Sequence, residues 1–275
     1  MSAASGRITA GLTLLGLLTL TAIGARWIAP YDPTAQDLAG DLAPPAAHHL
    51  LGQDKLGRDI LARLIYGTRV SLVVGVVTVA VSVAVGATVG ALAGFAGGWV
   101  DDLAMRAVDV LLAFPGLLLA IALTGVLGPS LRNVVLALSV IGWAGYARLA
   151  RGEIVRLRQR EFVEAARALG VPPWRILRRH LVPLLLTPLV VQATFGMAGA
   201  IVAEASLSFL GLGAQPPTAS WGAMLNDGRA FVLVAPHVTI FPGLAILVTV
   251  LGLNLLGDGL RDRLDVRTPD ALWRH

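Results

Sequence analysis

Residues 70–97 read VSLVVGVVTVAVSVAVGATVGALAGFAG, without a charged side chain. A helix needs about 20 apolar residues to cross the hydrocarbon core of a bilayer. This run is therefore long enough to span and then tilt or extend past the bilayer. Gly86, Gly90 and Gly94 recur every four residues within it and fall on one helical face, where a second helix can approach closely. Outward from this run, five further apolar stretches qualify: 8–28, 103–127, 131–149, 181–203 and 237–256. The composition agrees. Hydrophobic residues make up 56% and charged residues 14% of the 275, whereas a soluble chain carries roughly 25% charged residues. So little charge cannot coat a water-facing surface, and so apolar a chain is not disordered. The fold class is all-α, a polytopic transmembrane bundle of six spanning helices.

The first span has 18 residues, 8–25, before its first charge at Arg26. Secretory h-regions run about 7–15 residues, so it reads as an uncleaved anchor. The basic residues, 21 Arg and Lys55, set the orientation. With the N-terminus inside, 15 of the 22 lie on the cytoplasmic side: Arg7, Arg106, nine Arg of 148–180 and four of 258–275. This places both termini in the cytoplasm. The net charge of +5 is read as topology rather than as a nucleic-acid surface. The chain divides into 1–69 (first span and long external loop), 70–262 (five spans) and 263–275 (cytoplasmic tail).

The external loop 29–69 carries Pro30, Pro33, Pro44 and Pro45, which favour turns and extended chain. Its end, 59–69, places Ile60, Leu61, Leu64 and Ile65 at the spacing of a short amphipathic helix lying at the membrane interface. Gly97 and Gly98 break the second span, and Pro115 should kink the third. Asp109 is expected to pair with Arg106. A second external loop, 204–236, begins at Glu204 and carries Gln215, Trp221 and several glycines. It reads as a re-entrant or capping element.

The largest cytoplasmic segment is 148–183. Its centre is REFVEAARALG, Arg160 to Gly170. Phe162, Ala165, Ala166 and Leu169 share one helical face, with Glu161, Glu164 and Arg167 off it. Gly170 stops the helix, and Pro172 and Pro173 start another. Two readings stand side by side: a hairpin resting on anionic lipid through its arginines, or a docking knob whose small alanines admit a soluble partner.

Several chemistries are excluded. A P-loop needs Gly-Lys-[Ser/Thr], and the only lysine, Lys55, follows Asp54 and precedes Leu56. The histidines, at 48, 49, 180, 237 and 275, form no His-Glu-x-x-His, and there are no cysteines. No catalytic, metal or cofactor site is expected on this chain. The spans are almost free of the ionisable groups that ion-coupled pumps place deep in the membrane.

Glu164-Ala165-Ala166 followed by Gly170 and Pro183 resembles the EAA signature of permease subunits in binding-protein-dependent ABC importers. His180-Leu181-Val182-Pro183 departs from that signature at two of its last four positions and looks like the branch serving dipeptides, oligopeptides and nickel. Three more segments are similar to that branch: Leu51 to Asp59 with Tyr66 to Leu72, Glu204 to Trp221, and Asn254 to Asp262. The long Asp-rich first loop resembles the C-type member of a heterodimeric pair.

The resemblance implies a type I ABC importer permease in a bacterial inner membrane. Its partners would be a homologous permease, two cytoplasmic P-loop ATPases holding ATP and Mg, an external solute-binding protein and lipid. Glu161, Glu164, Ala165, Ala166 and Gly170 would form the ATPase-coupling helix; Glu204, Gln215 and Trp221 would belong to the external loop or gate. Peptide is the first expected substrate, with nickel or another small solute the alternative. A secondary transporter, which would show paired ionisable groups or broken helices at the midplane, and a structural scaffold are the other classes.

Overall fold

A computed structural model describes residues 2–265. The first apolar run folds as α1 (Ser2–Ile28), and α2 (Ile60–Ala96) follows the external loop. The chain continues through α3 (Gly98–Ala113), α4 (Gly116–Leu127) and α5 (Leu131–Leu157). Two short helices, α6 (Glu161–Ala168) and α7 (Pro173–Ile176), lead into α8 (Val182–Phe209). Then come α9 (Trp221–Gly228) and α10 (His237–Asp265). Five of these runs are long and apolar enough to cross a membrane, and the bent pair α3 and α4 brings the number to six. The tail beyond residue 265 lies outside the described residues.

The glycine row of α2 fits its expected purpose. A Cβ at Gly86 would stand 2.7 Å from Tyr146 Cβ, and one at Gly94 would stand 2.8 Å from the Arg151 carbonyl. A Cβ at Gly90 would strike the Ala147 carbonyl. The two backbones therefore touch, and α2 and α5 form the central seam. On the other side α1 lies along α10, where Arg7 Nη1 meets Asp262 Oδ2 at 2.9 Å. Leu17, Leu20 and Ile23 of α1 and Val73 and Val76 of α2 point outward, as suits lipid.

Four expectations need correction. Residues 59–69 are not a separate interfacial helix. They form the first turns of α2, capped by the Asp59 carboxylate on Ala62 N–H at 2.7 Å. Their apolar side chains Ile60 and Ile65 are buried in protein, not lipid.

The third span does not merely kink. It breaks by 87° between α3 and α4. Pro115 clashes with a helical preceding residue, and Phe114 accordingly takes φ −92°, ψ 142°. Asp109 pairs with Arg148 across the α3–α5 contact at 2.5 Å, not with Arg106. Finally, α5 runs to Leu157, beyond 149, and α8 runs to Phe209, beyond 203. The hairpin is thus shorter than 148–183, and Glu204 lies inside a helix rather than opening a loop.

Candidate functional site: a hairpin and a cap at opposite ends of the bundle

The hairpin begins where α5 stops. Arg158 Nη1 donates to the Gly94 carbonyl at 3.0 Å, tying that exit to the end of α2. Arg160 is extended (φ −80°, ψ 146°) and turns the chain into α6. Glu161 and Glu164 occupy the first turn of α6, where carboxylates meet the positive helix end.

The exit of α6 is a Schellman turn. Val171 N–H donates to the Ala166 carbonyl at 3.0 Å, and Gly170 N–H to Arg167 at 2.9 Å. Gly170 has φ +76°, a conformation that glycine adopts without strain. Pro172 and Pro173 then start α7. Pro183 has no N–H to close an α-turn, and Leu177–Leu181 form a π-turn, with Val182 N–H reaching back to Leu177.

The faces of α6 divide differently from the single expected stripe. Val163 and Ala166, three residues apart, are buried. With Ile176 they join a cluster that includes Ile154 and Leu157 of α5 and Leu185 of α8. Phe162, Ala165 and Leu169 point away from the bundle, Leu169 being 84% exposed. So Ala166 is the seat of the helix and Ala165 its outer surface.

Val163 is an anchor that the sequence reading missed, because two apolar stripes interleave over residues 162–169. Trp174 was also missed. It is exposed, with the Arg178 guanidinium 5.7 Å from its ring centre.

The cap closes the other end. Asp54 Oδ2 accepts from Arg58 Nε at 2.7 Å and lies 3.4 Å from Arg63 Nε. Asp227 of α9 meets Arg58 Nη2 at 3.1 Å and Lys55 Nζ at 2.8 Å. Asp54, Arg58 and Arg63 are all buried. The charges of this loop thus pair with each other, and they fasten the loop to α2 and α9.

Trp221 is buried, and its indole N–H donates to the Leu64 carbonyl at 3.1 Å. Gly67 makes room for the ring: a Cβ there would stand 2.7 Å from Trp221 Cδ1. Glu204 is 0% exposed. Its Oε1 accepts from Ser208 Oγ at 2.7 Å, and that hydroxyl accepts from Ala214 N–H at 3.0 Å. Gln215 is exposed and donates to the carbonyls of Gly211 and Gly213 at 3.0 and 3.1 Å.

The structure therefore gathers Glu161, Glu164, Ala165, Ala166 and Gly170 at one end. Glu204, Gln215 and Trp221 lie at the other, where only Gln215 is open to solvent.

Comparison with known proteins fits this arrangement. Residues 86–269 match the family model described as the binding-protein-dependent transport system inner membrane component. Residues 9–45 match the N-terminal TM domain of oligopeptide transport permease C. The glutathione transport system permease protein GsiD of Escherichia coli O1:K1 / APEC is 50% identical over 259 residues, covering 94% of this chain and 85% of the relative. GsiD of Shigella flexneri serotype 5b (strain 8401) is 51% identical over the same length. The chain belongs to the family of binding-protein-dependent transport system inner membrane components.

Proposed function

We propose that this chain is one of two homologous permeases in an ATP-driven importer of small peptides. ATP and Mg are held by a pair of cytoplasmic ATPases, and an external binding protein delivers the substrate. The observation that carries the coupling role is the outward stripe Phe162, Ala165 and Leu169, on a helix seated by Val163 and Ala166. A hairpin that only rested on lipid would have no need of a rigid brace to α5 and α8. Glu161 and Glu164 hold the start of α6 in place, and Gly170 sets the turn out of it.

The same packed cluster runs from Val163 and Ala166 to Tyr146 of α5 and to Val79 and Ala200, midway along α2 and α8. Interiors are close-packed and transmit displacement. Movement of the two hairpins as the ATPases close would thus shift the middle of the bundle, a rigid-body switch between inward- and outward-facing states. In this arrangement both termini lie in the cytoplasm. The cap faces the binding protein, with Gln215 as its exposed contact and with Glu204 and Trp221 as the buried struts of the outer gate.

Peptide as substrate rests on the two permease matches: GsiD is named for glutathione, and the N-terminal match is to an oligopeptide permease. Two experiments test the reading. Membrane vesicles carrying the assembled importer should take up labelled di- or tripeptide in an ATP-dependent way, and absence of uptake would refute the substrate. Reporter fusions after residues 45 and 165 should read external and cytoplasmic; the reverse would refute the orientation.

A further inference from the structure

Midway along the bundle, α2, α5 and α8 part around a groove of about 340 Å³. This lies within the roughly 300–1,000 Å³ typical of small-molecule sites. Three hydroxyls on its wall, Thr78 Oγ1, Ser82 Oγ and Tyr146 OH, have no hydrogen-bond partner. Their residues are only 4%, 1% and 6% exposed. A hydroxyl on a spanning helix can satisfy itself on the carbonyl one turn earlier. Thr88 does so on Ala84, and Thr124 on Ala120, each at 2.7 Å. The three groove hydroxyls do not, and a buried polar group left unpaired calls for a reason.

The glycines opposite make the room that two of these hydroxyls occupy at the groove wall. Ser82 Oγ lies over Gly142, where a Cβ would stand 2.6 Å away, and Tyr146 OH lies over Gly196, where a Cβ would collide with it. Among the described residues lining the groove none is charged. Gln192 lines both this groove and a wider cleft of about 950 Å³ toward the hairpin end, whose wall includes Glu153, Arg156 and Arg263.

We propose that this groove is a transit site for the peptide main chain. Thr78, Ser82 and Tyr146 hydrogen-bond its amide groups, and Gln192 hands them on to the charged cleft. The inference rests on the peptide reading above. A hydroxyl both donates and accepts, which matches the N–H and C=O that every peptide carries and ignores its side chains. Neutral hydrogen bonds are individually weak. A transit site needs that weakness, since what enters must also leave. The carboxylate and guanidinium groups of the cleft below suit the charged ends of a peptide on its way out.

The chain has no cysteine, so Ser82→Cys and Thr78→Cys place unique, nearly isosteric thiols on the groove wall of this subunit. The test uses the complete importer in proteoliposomes, with any partner cysteines replaced. A small charged thiol reagent is applied during turnover. Transported dipeptide should slow labelling at 82 and 78 by about threefold or more, the scale of one net hydrogen bond. A thiol at Val126, 88% exposed on the outside of α4, should not respond.

Tyr146→Phe and Gln192→Leu should lower maximal uptake by about three- to tenfold, with ATPase recovery and peptide binding to the binding protein unchanged. Thiols that do not react, or that react equally with and without peptide, would overturn the site. So would unchanged uptake in Tyr146→Phe together with Gln192→Leu. Uptake by the parent importer is measured first: its absence would refute the peptide reading itself, whereas uptake without protection would remove the groove alone.

Discussion

The two ends of this bundle handle side chains in opposite ways. At the cap, charge is turned inward: Asp54, Arg58 and Arg63 are buried among themselves, and Asp227 closes the cluster from another helix. At the hairpin, apolar surface is turned outward: Phe162, Leu169 and Trp174 are 41%, 84% and 58% exposed. The cap pairs its buried charges with each other, which fastens the loop to α2 and α9. The hairpin leaves its apolar groups unsatisfied, and an unpartnered apolar surface at a helix tip is what a docking element needs. The role of a loop thus follows from which of its surfaces remain unpartnered, not from its overall polarity.

The largest effect is expected at the cap. Asp54→Leu strands Arg58 and Arg63 in a buried site and also removes the acceptor for the N–H groups of Leu56 and Arg58. Losing one partner of a buried ionic group costs about 3–5 kcal/mol. The purified complex should show a clear drop in thermal stability, and an unchanged melting temperature would mean that the cluster is not structural.

Ala166→Arg is next. It drives a long cation into the seat of α6 against Ile154 and Leu157, an overpacking worth at least about 1–3 kcal/mol. Protease cleavage within 158–172 should accelerate while the spans stay inserted.

Gly170→Val sharpens the contrast further. Valine at φ +76° carries about 1–3 kcal/mol of strain, confined to one turn. The subunit should insert normally yet fail to stimulate ATP hydrolysis in the assembled importer, and normal stimulation would count against the turn. The smallest effect is expected for Arg7→Ala. It removes a half-exposed pair with Asp262, and exposed pairs contribute about 0–1 kcal/mol. A large loss of stability there would show that the α1–α10 contact depends on charge and not on the close approach at Gly11, where a Cβ would stand 2.7 Å from the Leu256 nitrogen, and at Gly259, where one would stand 2.6 Å from Ile8 Cγ1.

Much of this architecture was legible in the chain. Run lengths marked out the spans, the four-residue glycine spacing marked a close-packing face on α2 without naming α5 as its partner, and Gly170 with Pro172 and Pro173 marked the hairpin turn. What escaped depends on contacts distant in sequence. Arg58 and Asp227 are 169 residues apart, and nothing local in either segment announces the pair. Asp109 was assigned to the nearer Arg106 because helical spacing favours it, yet the crossing of α3 over α5 puts Arg148 closer. The inward role of Val163 was hidden because Phe162, Val163, Ala165 and Ala166 permit two apolar stripes, and only packing on α5 selects one. The groove was hidden for a simpler reason: isolated Ser, Thr and Gly in apolar runs read as ordinary packing residues until three helices are seen to part around them.

The central claim, that the outward face of α6 seats an ATPase, is tested most directly by Ala165→Arg. Ala165 and Ala166 are neighbours in sequence and differ only in which way they face. The account predicts that the Ala165→Arg subunit reaches the membrane at the parent level and resists protease at 158–172 as the parent does. It should nevertheless lose the ATPases on purification and lose peptide uptake. Normal recovery of the ATPases with normal uptake would contradict the docking role and return this hairpin to the lipid surface.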